Sequence, residues 1–359
     1  MTERLLFGPG PSMVSARVMG ALARPVLGHL DPVLLSTMDD LRARLARVFQ
    51  APAGSRVLAV SGTGTAAMET AIANLVEPNK AVLVAVSGYF GLRLAEIARR
   101  FGAEVQTVEC EWGRAVDPAD VERALSSFRA DIVMAVHAET STGVRNPIRD
   151  IATLAKARGA LMVADCVTSL GGQEVDMAGW GVDVAYSGAQ KCLGAPSGLA
   201  PVAFAPAALE RLVPCRSFYF DLGLLEDYWG GRKYHHTICS PLVFAFHEAL
   251  VAIEEEVLQA RWDRHAKVHQ AFARGVGHLG LSFLVPEAER LMTLNTVRVP
   301  EGVNEAEVRT ALRERFSIEI GAGMGPLTGK IWRIGLMGAS ASEAHVHTLV
   351  GALRSVLPH

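Results

Sequence analysis

The stretch Arg56-Val-Leu-Ala-Val-Ser-Gly-Thr-Gly-Thr-Ala-Ala-Met-Glu-Thr-Ala-Ile-Ala-Asn-Leu75 reads as strand, turn and helix in immediate succession. Residues 56–60 form an apolar run of strand length, Ser61 to Thr65 are small turn-forming residues, and Ala66 to Leu75 is a helical run that stops before Glu77-Pro-Asn79. A strand that turns through small residues into a helix is half of a βαβ unit, and the surrounding chain repeats the pattern. Upstream, Met38, Leu41, Leu45, Val48 and Phe49 recur at helical spacing. Downstream, strands are expected at 81–86, 103–108, 132–136, 161–164, 182–186 and 199–205, with helices at 91–101, 117–128 and 148–158. The alternation predicts an α/β fold with a mostly parallel sheet of about seven strands flanked by helices.

After about Ser240 the rhythm changes to a long helical stretch reaching Leu279, followed by strands and helices in α+β order. Asn304 with Glu307, and Ser340 with Glu343, read as capping boxes at helix starts. A chain of 359 residues exceeds what one core usually supports. The expected division is an N-terminal segment (1–20), a large domain (21–240) and a small C-terminal α+β domain (241–359). No internal repeat or low-complexity segment is visible.

Composition narrows the function. The net charge of −2 and the absence of a basic run argue against a nucleic-acid partner. The longest apolar stretches, 81–86 and 199–205, are far short of a membrane span. The first ten residues lack the pattern of a signal peptide, so a cytoplasmic location is expected. The cysteines, Cys110, Cys166, Cys192, Cys215 and Cys239, are widely spaced, form no C-x-x-C pair and suggest no metal site. They read as reduced thiols.

Three stretches carry chemistry. Ser61-Gly-Thr-Gly-Thr65 lies between a strand and a helix start, where small residues let backbone N–H groups approach an anion; alone it is equally a tight turn. Asp165 follows the apolar strand 161–164, at the strand end where open α/β sheets bind ligands; alone it is more often a cap or loop carboxylate. Tyr186-Ser-Gly-Ala-Gln-Lys-Cys-Leu-Gly-Ala-Pro-Ser-Gly198 holds Lys191 as its single charge, between buried strands. Desolvation there lowers a lysine's pKa toward nucleophilic competence, and the amine can form a Schiff base. An anion cradle, a carboxylate and such an amine suit a cofactor with a phosphate, a pyridinium nitrogen and an aldehyde, which is pyridoxal 5'-phosphate (PLP).

The chain also resembles the class V branch of fold-type I PLP aminotransferases, specifically the alanine-glyoxylate, serine-glyoxylate and serine-pyruvate group. The likeness runs through Gly8-Pro-Gly-Pro-Ser12, Gly28-His-Leu-Asp-Pro32, Met38-Asp-Asp40, Ser61-Gly-Thr-Gly64 and His137-Ala-Glu-Thr-Ser-Thr-Gly143. It continues through Asp165-Cys-Val-Thr-Ser-Leu-Gly-Gly172, Ser187-Gly-Ala-Gln-Lys191, Tyr234-His-His-Thr237 and Lys330-Ile-Trp-Arg-Ile-Gly-Leu-Met-Gly338, in the family's order. The resemblance implies that Lys191 carries the cofactor and moves protons, that Asp165 pairs with the ring nitrogen, and that Val167 packs under the ring. It implies that Gly64, Thr65 and Gln190 hold the phosphate and that Thr140 lies near the ring hydroxyl. It also implies that Tyr234 and Thr237 reach the phosphate of a neighbouring subunit in a homodimer, and that Arg333 receives the substrate carboxylate. Gly28 and His29 border the substrate pocket of the partner on the same reading.

Two positions depart from close relatives: Phe90 stands where a tryptophan often covers the ring, and Thr65 where some carry histidine. His137 and His236 are expected to be structural histidines. A single carboxylate clamp at Arg333 favours alanine, serine or glycine with pyruvate or glyoxylate as substrates. Ureidoglycine or 2-aminoethylphosphonate aminotransferases are rivals within the family. A desulfurase or other PLP-dependent lyase of the same fold is a rival outside transamination, and a desulfurase needs a cysteine on a mobile loop. A nicotinamide-binding dehydrogenase lacks its full glycine fingerprint here and leaves Lys191 unexplained.

Overall fold

The computed structural model describes residues 4–357. In chain order its strands are β1 (Leu5–Phe7), β2 (Arg56–Gly62), β3 (Ala81–Val86), β4 (Glu104–Glu109), β5 (Ile132–Val136), β6 (Ala138–Glu139), β7 (Val144–Arg145), β8 (Leu161–Asp165), β9 (Val184–Tyr186), β10 (Gly198–Phe204), β11 (Leu294–Arg298), β12 (Ile318–Ala322) and β13 (Ile331–Gly335). The seven apolar runs expected as strands form one sheet in the order β2-β10-β9-β8-β5-β3-β4. Strand β10 is antiparallel to both neighbours and the other pairings are parallel. Burial on both faces explains why β5 and β8 are continuously apolar rather than alternating.

Helices connect these strands. Asp31 and Asp117 start helices Pro32–Val48 and Pro118–Ser127, each accepting a backbone N–H and each followed by proline, whose fixed φ suits the first helical position. Because β2, β3, β5, β8 and β9 run the same way, their C-terminal ends share one edge of the sheet. Ser61, the segment after Val136, Asp165 and the loop from β9 to β10 therefore meet there.

A second sheet, β1-β12-β13-β11, gathers its own core around Phe7, Phe272, Ile318, Trp332, Ile334 and Leu349. Strand β1 pairs parallel with β12, so the start of the chain joins the C-terminal sheet. Residues just beyond it cross to the large sheet, where Ser12 donates from its backbone to the Gln190 carbonyl (2.8 Å) and from its hydroxyl to the Lys191 carbonyl (2.8 Å).

The helical stretch after 240 is two helices, Ser240–Glu256 and Leu258–His278, broken at Val257, whose φ of 67° is rare for a β-branched residue. The first packs on helices Ala16–Leu22 and Pro32–Val48, and its Val243, Phe246, Leu250 and Ile253 enter the large core. The second carries Val268, Phe272 and Val276 into the smaller core. The two cores thus part along the second helix.

Asn304 caps helix Glu305–Phe316 as its capping box predicts, accepting from the N–H groups of Ala306 and Glu307. The second box is displaced: Ser342, not Ser340, caps helix Glu343–Val356 by accepting from His345 N–H. Ser340 is buried in a short 3₁₀ turn and donates instead to the Leu6 carbonyl (2.8 Å), tying down the N-terminal segment. Among the described residues no helix is long and apolar enough to cross a membrane.

Candidate active site

A cavity of about 230 Å³ opens at the shared strand edge, and Gly64, Thr65, Phe90, Thr140, Asp165, Val167, Gln190 and Lys191 all stand in its wall. Eight of the residues singled out from sequence are therefore brought together. Lys191 is 9 % exposed, and its Nζ donates a hydrogen bond to the Pro9 carbonyl. Burial pulls its pKa down to about 8, with the nearby Arg333 cation adding to the effect. The approach is close enough that a Cβ at Gly10, whose φ is +112°, would meet the lysine side chain at 2.7 Å.

Asp165 ends β8, in register with Val136 of β5 and Tyr186 of β9. It is 2 % exposed, and one oxygen accepts from the Val167 N–H at 2.9 Å. Burial pushes the carboxyl up to about 7 despite that hydrogen bond. A carboxyl so placed ionises fully only when a cationic atom meets it.

At the other end, helix Gly64–Leu75 starts with no side-chain cap from Thr63, leaving its first N–H groups to the cavity. A Cβ at Gly64 would meet Val167 at 2.8 Å, so this turn can pack against Val167 only as glycine. Oε1 of Gln190 is buried without a hydrogen-bond partner, which leaves hydrogen-bonding capacity unused at the wall.

The His137-to-Gly143 segment holds the opposite wall. Its Thr140 hydroxyl meets that of Thr168 at 2.5 Å. Glu139, fully buried, accepts from the N–H groups of Gly91 (3.2 Å) and Phe90 (3.4 Å), while Ser141 Oγ accepts from Tyr89 (2.9 Å). Helix Tyr89–Arg100 begins at Gly88, which has no side chain to cap it, so these two residues cap it from another segment. Phe90 is thereby fixed in the first turn.

The remaining expected residues lie elsewhere. Arg333, on β13, donates to the carbonyls of Ala322 (2.6 Å) and Thr140 (3.4 Å) and has no ion-pair partner among the described residues. Burial lowers its pKa to about 10. Tyr234 is 60 % exposed, with its hydroxyl 3.4 Å from that of Thr237, and its ring lies 4.8 Å from His29. Gly28 is exposed and accepts from Asp31 N–H, and the His29 carbonyl accepts from Tyr228. None of Gly28, His29, Tyr234 and Thr237 lines the cavity.

A line of hydrogen bonds runs from the Phe218 carbonyl through His235 and His236 to Ser61 at the head of the turn, with separations of 3.1, 2.8 and 2.7 Å. The Phe218 carbonyl can only accept, so His235 Nε2 carries a proton and, in neutral rings, Ser61 donates to His236. His137 is held by Ser169 (3.0 Å) and Gln173 (3.3 Å) away from this cavity, as a structural histidine would be.

Sequence reasoning missed Gly10, Pro11, Met68, Arg93 and Ser197, which also line the cavity. Arg93 stands at i+3 from Phe90, a helical spacing that would have found it once the helix start was fixed. Four of the cysteines are poor nucleophiles: burial raises the thiols of Cys110 to about 11 and Cys192 to about 12, and raises those of Cys166 and Cys215, while Cys239 is exposed just before helix Ser240–Glu256.

An uncapped helix start, a buried carboxyl lacking a cation and a desolvated amine fit PLP chemically. Comparison with known proteins agrees. Residues 15–337 match the family described as aminotransferase class-V. The chain is 37% identical to the alanine–glyoxylate aminotransferase of Drosophila melanogaster, over 99% of this chain and 92% of that one. It is 36% identical to the (S)-ureidoglycine–glyoxylate transaminase of Bacillus subtilis, over 99% and 90%. The solved alanine–glyoxylate aminotransferase of Nostoc superposes with a TM-score of 0.97 at 42% identity, covering 100% of this chain and 96% of that one. This chain belongs to the class V aminotransferases, PLP-dependent enzymes of fold type I.

Proposed function

We propose that the enzyme moves the amino group of a small amino acid, alanine or serine, to glyoxylate or pyruvate. The observation that carries the cofactor chemistry of this reading is the placement of buried Lys191 and buried Asp165 in the wall of one small cavity. The similar enzymes described above share glyoxylate in their names and differ in the amino donor. That supports glyoxylate as acceptor, and ureidoglycine is the rival donor.

Bound PLP supplies an electron sink that stabilises negative charge on the amino acid's Cα. Lys191 holds the cofactor through its Nζ. Once free of the cofactor, Nζ would be the base that takes the proton from Cα, a role suited to an amine whose pKa burial has lowered to about 8. Asp165 would hold a proton at the ring nitrogen, and that cation would keep its own carboxyl ionised. Gly64, Thr65 and Gln190 would hold the phosphate, Thr140 the ring hydroxyl, and Val167 and Phe90 would pack against the ring. Arg333 takes the substrate carboxylate with the guanidinium edge that the two carbonyls leave free.

The active unit is a homodimer. Tyr234 and Thr237 are exposed, lie outside their own cavity, and complete the neighbour's phosphate site, with Gly28 and His29 beside its substrate. A cytoplasmic location belongs to the same proposal, supported by five cysteines none of which is paired; cell fractionation checks it. The deciding experiment is a turnover matrix of alanine, serine, glycine, ureidoglycine and 2-aminoethylphosphonate against glyoxylate and pyruvate. Ping-pong kinetics with alanine or serine as the best donor is expected. Preference for ureidoglycine would hand the assignment to the rival.

A further inference from the structure

Arg93 is the cavity's unexplained cation. It sits in the first turns of helix Tyr89–Arg100, lines the cavity with Thr65 and Phe90, and is partly buried. Its Nη1 donates to Thr65 Oγ1 at 2.9 Å. Its guanidinium carbon stands 4.9 Å from the Phe90 ring centre and 5.1 Å from that of Tyr89. No carboxylate among the described residues pairs with it, although arginines elsewhere in the chain, such as Arg42, Arg44 and Arg261, do have carboxylate partners. A partly desolvated guanidinium held without an anion is unfavourable unless the site is completed by one. Two aromatic faces offset part of that cost and fix where the charge stands.

The direction of the hydrogen bond adds a second element. A guanidinium can only donate, so Thr65 Oγ1 accepts and its own proton is free to turn elsewhere. Thr65 is the second residue of helix Gly64–Leu75, beside the uncapped N–H groups of its first turn. A hydroxyl that accepts from a cation becomes a better donor in turn, because hydrogen bonds in a chain polarise one another.

Resting on the PLP reading above, we propose that Arg93 is the charge partner of the cofactor's phosphate and acts with Thr65. Arg93 donates to Thr65, Thr65 donates to a phosphate oxygen, and the free guanidinium edge faces the phosphate dianion. The chain thereby supplies, through an arginine on the neighbouring helix, the positive charge that Thr65 itself lacks.

The test compares PLP with pyridoxal, which has the same ring and aldehyde but no phosphate, by equilibrium titration of apoprotein at fixed salt. Arg93→Met is expected to weaken PLP by about 10- to 100-fold, the range for losing a hydrogen bond to a charged group, and to leave pyridoxal affinity unchanged. Arg93→Lys should recover part of the loss. Thr65→Val, which keeps the side-chain volume, should also weaken PLP selectively, and its effect should shrink in the Arg93→Met background. Equal losses for PLP and pyridoxal would assign Arg93 to supporting the Phe90 wall and overturn the proposal, as would an unchanged PLP affinity. Wild-type protein that takes up no PLP would sink the transamination reading and this one with it. Wild type that binds PLP, with a PLP-to-pyridoxal ratio indifferent to Arg93, would sink this one alone.

Discussion

The cavity around Lys191 and the surface cluster around Tyr234 differ in closure. Lys191 and Asp165 are 9 % and 2 % exposed, and burial moves both toward neutrality. Tyr234 is 60 % exposed and Thr237 is exposed too, with only each other's hydroxyl in reach. One chain is enough to tune an amine and a carboxyl. The outer aromatic and hydroxyl groups, Tyr234 and Thr237, are the ones proposed above to serve a second copy.

The largest break removes the inner region's nucleophile. Lys191→Ala should abolish turnover and the visible absorbance of the lysine-bound cofactor while leaving the fold intact, since a shortened chain still packs beside Gly10. Spectra and single-turnover assays on PLP-loaded protein check this, and retained turnover would remove Lys191 from its role. The next experiment separates the regions by subunit. A Lys191→Ala protein and a Tyr234→Ala/Thr237→Ala protein, each poorly active alone, are mixed under conditions that exchange subunits. If the outer residues serve the neighbour, half the dimers are hybrids with one intact site, and about a quarter of wild-type activity returns. No recovery on mixing would place the outer cluster's role within its own chain.

How much of this was legible in the sequence follows the same division. Gly64, Asp165 and Lys191 were found because each follows a short strand of one parallel sheet, and strand direction alone puts their ends on one edge. Ser61-Gly-Thr-Gly-Thr65 also announces its turn locally. The Pro9–Pro11 crossing over Lys191 depends on β1 pairing with β12 at the far end of the chain, a contact without local signature. Arg93 depends on a helix start capped by Glu139 and Ser141 from another segment. Ser340 satisfies the capping-box spacing, but a buried turn claims its hydroxyl, so spacing alone chose the wrong serine.

A smaller, graded effect comes from pH. Burial lowers His137 and His265 to about 3, and His236 and His269 to about 4, all from an ordinary value near 6.5. Between pH 6.5 and 4 the unfolded chain binds protons that these folded residues refuse. Their contribution to stability is therefore fully present above 6.5 and lost as pH falls through that window, by ~1.4 kcal/mol per pH unit for each unmatched proton. Asp165, raised to about 7, acts with opposite sign below 7, but it is outnumbered by the histidines. Denaturation midpoints of the apoprotein should drop from pH 7 to pH 5. His236→Asn should flatten part of that slope and loosen the link to Ser61; a midpoint independent of pH would mean the histidines are not held neutral.

The smallest expected effect concerns Phe90 in the cavity wall. Its place is set by Glu139, and its ring stands against the Arg93 guanidinium, so it contributes a face rather than a hydrogen bond. Phe90→Leu keeps an apolar surface and removes the stack, a difference of about 1 kcal/mol, or about 5-fold in cofactor affinity. Turnover of PLP-loaded enzyme should change little, because the groups that move protons are untouched. Phe90→Trp should match or exceed wild-type affinity if Gly10 and Pro11 leave room for the larger ring. Unlike Arg93→Met, Phe90→Leu should weaken PLP and pyridoxal alike, since stacking sees the ring and not the phosphate. A loss confined to PLP would mean that Phe90 acts by holding Arg93 in place.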